Sequence, residues 1–344
     1  MDYTNMLDSF GGIIEEDLRQ QLKHIVKKGM DYHPFLGQTY KILEDYLLRG
    51  GRRLASCSTL IVYKGYTGQI DDKIVKAGSG IEFFRHSILV HDDIVDAEMS
   101  RRGGKTVHRL LEDGYDERFG IGSATFAGNM LFSLALESIL QSGFDDGKLK
   151  DVVNLLSADY KAVNESQILD LLFEYTKPSA EDWKVMTSKR ASSLFRTSLL
   201  TGAILASAPA KDRLLLEEAA KQIGFAFDIQ DDIIDTFASE EQYGREPGGD
   251  ILKRKKPLHV ILAMQKERTI ESLISGKAAI SKEDIPGIRE LIRGCGALDE
   301  AKSISKAHAK EAQRLIVQTD MSSDTKEFFI ALIDYVAESL DWYK

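Results

Sequence analysis

Proline is scarce in this chain, with 6 among 344 residues. Proline breaks helix interiors, so its scarcity leaves long stretches free to be helical. Cysteine is scarcer: Cys57 and Cys295 offer neither a disulfide framework nor zinc-ligand spacing, and a reducing compartment is expected. Excess positive charge is missing too. The 45 basic residues are outnumbered by 54 acidic ones, for a net charge of −9, which gives no general electrostatic reason to bind nucleic acid. No run of about 18 apolar residues appears, so no transmembrane segment is expected. The first residues are polar and acidic, unlike a signal peptide, and a cytoplasmic location is the expectation. No strand–glycine–helix signature of a nucleotide fold, sustained heptad or short repeat is evident.

What is present is helical periodicity. It predicts helices over 10–28, 38–48, 53–64, 72–97, 120–142, 149–173, 181–206, 213–238, 257–270, 283–293, 296–315 and 323–341. Ser179 before Ala180-Glu181-Asp182 and Ser281 before Lys282-Glu283-Asp284 read as helix caps. Polar, irregular stretches fall at 99–105, 112–118 and 238–256, with no interdomain linker. The expectation is one all-α domain over residues 1–344, a single large helical bundle.

Two clusters carry the chemistry: Asp92-Asp93-Ile94-Val95-Asp96 and Asp231-Asp232-Ile233-Ile234-Asp235. In each, the first and last aspartates sit four apart, on one helix face. In the second, Asp228 extends the pattern to a stripe at i, i+3, i+4 and i+7 among Phe225, Phe227, Ile229 and Ile233. Such acidic faces repel themselves unless cations neutralise them. Carboxylates so placed suit hard divalent ions and a phosphate-rich substrate, as two walls of one cavity. Each cluster ends a helix and feeds a basic loop, a layout suited to lids. For a lone cluster, a solvent-facing acidic cap is the simpler reading. His91 reads as a hydrogen-bond partner within its own helix that steadies the cluster, rather than as a base.

Basic residues stand where such a site needs them: Arg52-Arg53 after Gly50-Gly51, Arg101-Arg102, Lys189-Arg190, and Lys253 to Lys256. Arginine forks match phosphate oxygens, and lysine adds a mobile point charge. Gln167 and Asp170 interrupt an apolar helix and read as cavity-lining or as structurally satisfied.

These motifs resemble the trans-isoprenyl diphosphate synthases, the farnesyl and geranylgeranyl diphosphate synthase family. The resemblance is clearest from Gly50 to about Ile270 and rests on both D-D-x-x-D motifs, with Arg-Arg-Gly after the first. It implies the isoprenoid synthase fold and a homodimer. It further implies about three Mg²⁺ ions, with Mn²⁺ as a substitute, held by Asp92, Asp96, Asp231 and Asp235 and supported by Asp93, Asp228 and Asp232. By the same resemblance, Arg101, Lys189 and Lys255 contact an allylic prenyl diphosphate. Arg52, Arg53, Arg85 and Arg102 hold isopentenyl diphosphate, and Gln167 and Asp170 lie near the reacting carbons. Head-to-tail condensation gives a longer prenyl diphosphate, a lipid that permits peripheral membrane contact. The resemblance also implies that Phe84, Ser87 and Ile88, ahead of the first cluster, set chain length, with Phe84 or else a side chain of the opposite helix as the floor. A product of twenty carbons is expected, then twenty-five.

Several positions depart from the family pattern. Arg52-Arg53-Leu54-Ala55-Ser56 replaces K-R-x-R-P, Arg85 a histidine, and Arg190 the threonine of a K-T pair. Asp228 replaces a glutamine, Asn129 an aspartate, and Arg254-Lys255-Lys256-Pro257 a G-K-x-T loop. Asp228 could add a metal ligand, pair with Arg190, or spoil carbocation stabilisation. A catalytically weak or inactive partner subunit and a terpene cyclase of the same fold are the alternatives.

Overall fold

The computed structural model describes residues 3–190, 194–239, 241, 247–276 and 280–338. It divides into two compact units, one of residues 1–156 and 198–208, the other of 157–197 and 209–344.

In the first unit, α1 (Tyr3–Tyr32), α2 (Pro34–Leu48), α3 (Leu54–Thr67), α4 (Asp72–Val95), α5 (Val107–Glu112) and α6 (Glu117–Leu140) follow in order. Side-chain caps set the long helices. Asp71 accepts from the Ile74 N–H at 3.0 Å to start α4, and Asp116 from Phe119 at 2.8 Å to start α6. Helix α6 lies along α4. A side chain at Gly80 would meet Ile139 at 3.0 Å and the Ala135 carbonyl at 3.1 Å, so glycine permits the approach. Gly128 likewise makes room for the His91 ring, whose Nε2 lies 3.1 Å from the Thr125 carbonyl. His91 therefore ties the α4 terminus to α6, across helices rather than within one.

The stretch expected to be irregular between the first cluster and α5 instead forms a two-stranded antiparallel hairpin, β1 (Ser100–Arg101) and β2 (Gly104–Lys105). Arg102 and Gly103 turn it, with φ of 49° and 75°.

Helix α7 (Asp146–Tyr175) and α9 (Phe195–Leu205) run through the boundary between units, and α8 (Ala180–Arg190) lies in the second. The expected helix over 181–206 thus appears as α8 and α9; residues 191–193 lie outside the described residues. The second unit continues with α10 (Ala210–Phe237), α11 (Gly249–Leu252), α12 (Leu258–Lys266), α13 (Arg268–Ser275), a 3₁₀ turn (Lys282–Asp284), α14 (Ile285–Gly294), α15 (Ala297–Val317) and α16 (Ser323–Glu338). Both expected caps form. Ser179 and Asp182 bond reciprocally at 2.8 and 3.1 Å, and Ser281 with Asp284 makes a capping box.

The core of this unit gathers Phe173, Trp183, Met186, Phe225, Ile229, Ile233, Leu258 and Ile261. Phe225, Ile229 and Ile233 recur every four residues on α10, which leaves Asp228, Asp231, Asp232 and Asp235 for its other sides. By length and composition alone α6 passes as long and apolar enough to cross a membrane, which for a single helix is weak evidence, since the core helices of proteins outside membranes pass as well; 33% of its apolar window is buried inside the protein.

Candidate active site

In the first unit the acidic cluster occupies the last turn of α4, with Asp96 as its C-cap. Its aspartates face different ways. Asp93 is fully buried. Tyr46 donates its hydroxyl to one carboxylate oxygen at 2.6 Å, and Arg101 Nε donates to the other at 2.6 Å. Burial pushes Asp93 above the usual carboxylate range against the pull of Arg101 and Tyr46. Asp93 thus anchors the hairpin, with one internal donor on each carboxylate oxygen. Asp92 and Asp96 remain partly exposed on the flank, with Arg101 Nη2 3.5 Å from Asp92.

Arg49 holds the hairpin from below. It donates to the carbonyls of Arg101 (3.3 Å) and Lys105 (2.7 Å), while Asp45 pairs with it at 2.6 Å. Its guanidinium also lies 5.6 Å from the centre of the Tyr46 ring. Neither Arg49 nor Tyr46 was singled out in the sequence. Their only signal is position, just before Gly50-Gly51.

Of the four arginines expected to hold isopentenyl diphosphate, Arg53 is turned inward. It starts α3 with φ 47° and is buried, donating to Leu47 O and Glu15 at 3.3 Å and facing Glu82 at 3.5 Å. A buried guanidinium must be paired, and Glu82 answers it. Ser56 also donates to Glu82 at 2.7 Å. Burial raises Glu82, but His86, Arg53 and Ser56 outweigh it and hold the carboxyl below its ordinary value. His86 beside it is pushed down to about 4 by its own burial. Arg52 and Arg85 are half-buried and Arg102 is exposed. Phe84, Ser87 and Ile88 are buried in α4, with the Phe84 ring 6.2 Å from that of Phe132 on α6. Asn129 is exposed on α6.

In the second unit the α10 stripe meets protein donors. Arg190 Nε donates to Asp228 at 3.2 Å, its Nη1 lies 3.7 Å from Asp170, and its Nη2 lies 3.7 Å from Asp232. Of the three readings of Asp228, the structure shows the pair with Arg190. Burial pushes Asp228 up to about 6 and also holds Asp232 well above the usual carboxylate range, with Arg190 opposing both. Asp170 bridges onward to Lys255 Nζ at 3.4 Å, and Lys255 lies 3.8 Å from Asp250. Asp235 is buried and accepts from the Asp250 N–H at 3.1 Å, so it caps α11. Asp231 is half-buried.

Lys189 pairs with Glu165, and Gln167 is half-buried on α7. Lys256, expected as part of a basic patch, is buried. Its ammonium donates to the carbonyls of Phe173 (2.6 Å), Glu174 (2.9 Å) and Arg254 (3.0 Å). The expected lid over 238–256 lies partly outside the described residues, at 240 and 242–246.

Among the described residues, no group of three or more His, Cys, Asp or Glu side chains is placed to hold an ion. The donor set nevertheless suits Mg²⁺, which takes hard oxygens, needs one or two carboxylates and keeps the rest of its shell for water and phosphate. The buried Asp232 Oδ2 makes no hydrogen bond among the described residues.

The family model for Polyprenyl synthetase matches residues 37–292, a span that holds both clusters. A short chain isoprenyl diphosphate synthase from Methanocaldococcus jannaschii is 30% identical over 82% of this chain and 84% of its own. A geranylgeranyl pyrophosphate synthase from Geoglobus acetivorans is 28% identical over 95% and 96%. Among solved structures, the geranylgeranyl pyrophosphate synthase of Corynebacterium glutamicum complexed with isoprenyl diphosphate and magnesium superposes with a TM-score of 0.89. It is 24% identical and covers 96% of this chain and 99% of that one, which fixes the fold as that of the isoprenoid synthases. Both aspartate motifs inside the matched span, and likeness along nearly the whole chain, make this protein a member of the polyprenyl synthetase family, the trans-isoprenyl diphosphate synthases.

Proposed function

We propose that this chain is a Mg²⁺-dependent trans-prenyltransferase. It condenses isopentenyl diphosphate with an allylic diphosphate and releases geranylgeranyl diphosphate, or the twenty-five-carbon homologue next. Prenyl transfer as a reaction class comes with the family. The observation that carries the finer reading is the division of labour at the first cluster. Asp93 is locked inward, while Asp92 and Asp96 stay partly exposed one helical turn apart.

In this reading Asp92, Asp96 and Asp231 hold the metal, and Mg²⁺ supplies positive charge to the leaving diphosphate. Arg101, Lys189 and Lys255 bind that diphosphate; Arg52, Arg85 and Arg102 bind isopentenyl diphosphate. Apolar side chains keep water from the allylic cation. The proton lost from the condensation product passes to diphosphate, so no histidine is assigned as base. The whole chain acts as one domain, in the cytoplasm, with peripheral membrane contact for its lipid product. A homodimer is supported by α6, which exposes Ile121, Phe126 and Leu140.

Purified protein incubated with Mg²⁺, farnesyl diphosphate and labelled isopentenyl diphosphate should release diphosphate and one prenyl product, sized by chromatography. No diphosphate release from any allylic primer would overturn the reading. A weak or inactive partner subunit is the second reading, favoured by the engagement of Asp228, Asp232 and Asp235 with protein groups. It predicts turnover only after a second chain is added.

A further inference from the structure

The Arg190 guanidinium spends each of its three nitrogens on a different carboxylate. Nε reaches Asp228 and Nη2 reaches Asp232, both on α10, while Nη1 reaches Asp170 on α7. Its side chain is only 21% exposed, and the three carboxylates are 10–14% exposed. A planar fork can serve three acceptors in this way; an ammonium on a flexible stem would not hold that geometry. The contact also crosses from the end of α8 to the middle of α10, so it is built by the fold rather than by neighbouring residues on one helix.

We propose that Arg190 is a built-in cation of the second acidic cluster. By neutralising Asp228 and Asp232 it leaves Asp231 as the metal-facing carboxylate of α10, so the stripe takes up fewer divalent ions than its aspartates would otherwise bind. The proposal rests on the reading of Asp231 as a metal-binding residue. Arg190 acts as a positioning residue: it touches the carboxylates, not the reacting atoms. Lys255 performs a related service at Asp170 and Asp250, at 3.4 and 3.8 Å, so positive and negative groups alternate from α10 to the loop before α12. With this arrangement the acidic stripe can exist without a metal, which offsets the self-repulsion of its carboxylates.

The test is Mn²⁺ binding to the purified full chain, followed by electron paramagnetic resonance in a D92N/D96N background that silences the first cluster. R190Q should bind Mn²⁺ about tenfold more tightly, or take up a further ion, because removing an adjacent charge shifts ion binding by about that factor or more. R190K retains the charge but not the fork, so its gain should be clearly smaller than that of R190Q. R190Q/D228N removes one charge of each sign and guards against misfolding of R190Q alone; Asp232 is still released, so tighter binding is again expected. Folded R190Q and R190Q/D228N proteins with the parent isotherm would overturn the proposal, as would equal gains in R190K and R190Q. If the wild-type chain releases no diphosphate with Mg²⁺, the proposed activity fails, but the Mn²⁺ comparison still decides the role of Arg190.

Discussion

The Tyr46 hydroxyl donates to the Asp93 carboxylate at 2.6 Å, joining α2 to the last turn of α4 and turning the second aspartate of the first cluster inward. Arg101 completes the clamp, so the cluster splits into one anchor and two outward carboxylates. Removing the hydroxyl strands a buried carboxylate oxygen. Y46F should therefore cost about 1–3 kcal/mol of stability. D92N should leave stability almost unchanged and abolish most Mg²⁺-dependent turnover. Urea unfolding beside steady-state kinetics separates the two. Equal stability losses in Y46F and D92N would refute the division of labour.

The buried pair His86 and Glu82 predicts a pH effect. His86 titrates near 4 in the folded chain against 6.5 for an ordinary histidine, because burial disfavours its charged form. Between those values the unfolded chain holds the proton and the folded chain does not. The stability contributed by neutral His86 is thus complete above 6.5 and disappears as pH falls to about 4, a loss of about 3 kcal/mol. Glu82, held below its ordinary value, loses its contribution in the same direction once pH falls through its folded value. Buried His259, pushed to about 3, adds to the slope. Denaturant unfolding at stepped pH should show falling stability from 6.5 to 4. H86Q should flatten that fall without removing it; an unchanged slope would contradict the assignment.

Much of this architecture is legible from periodicity, since α4, α10, α15 and α16 appear within a few residues of their expected bounds. What escaped the sequence is short or tertiary. The hairpin at 100–105, α11 and the six-residue α5 between two polar stretches are too short to show a period. Both D-D-x-x-D clusters are visible as spacing, but spacing cannot say that Asp93 meets Tyr46, 47 residues away, or that Asp235 caps α11. Arg53 and Lys256 look like their basic neighbours. Only the fold reveals that one is committed to Glu82 and the other to three carbonyls.

Phe84 tests chain length. It is fully buried on α4 beside Phe132, with Ser87 Oγ donating to its carbonyl at 2.7 Å. Truncation opens a cavity in the α4–α6 packing, and F84A should cost about 3–5 kcal/mol. If Phe84 is the floor of the prenyl channel, the same variant should also release longer products. F84L, which retains most of the volume, should keep both stability and product length. Chromatography showing the parent product from folded F84A would reject Phe84 as the floor while leaving its packing role intact.

Lys256 tests how the loop before α12 is held. Its ammonium donates to Phe173 O and Glu174 O, closing the C-terminal turn of α7, and to Arg254 O in its own loop. The same turn of α7 carries Asp170, and the same loop carries Lys255, 3.4 Å from it. Burial pushes the Lys256 ammonium below its ordinary range, yet three carbonyl acceptors compensate for lost water. K256M keeps the apolar stem and deletes the charge-assisted bonds. It should lower stability by about 2–4 kcal/mol and make the loop around Arg254 easier to cleave. With Lys255 no longer fixed against Asp170, the KM for the allylic diphosphate should rise more than kcat falls. K255M should show the kinetic defect with little loss of stability, because Lys255 is partly exposed and its partners lie at 3.4 and 3.8 Å. Matching unfolding curves for K256M and the parent would show that the three carbonyls find water as readily as they find the ammonium.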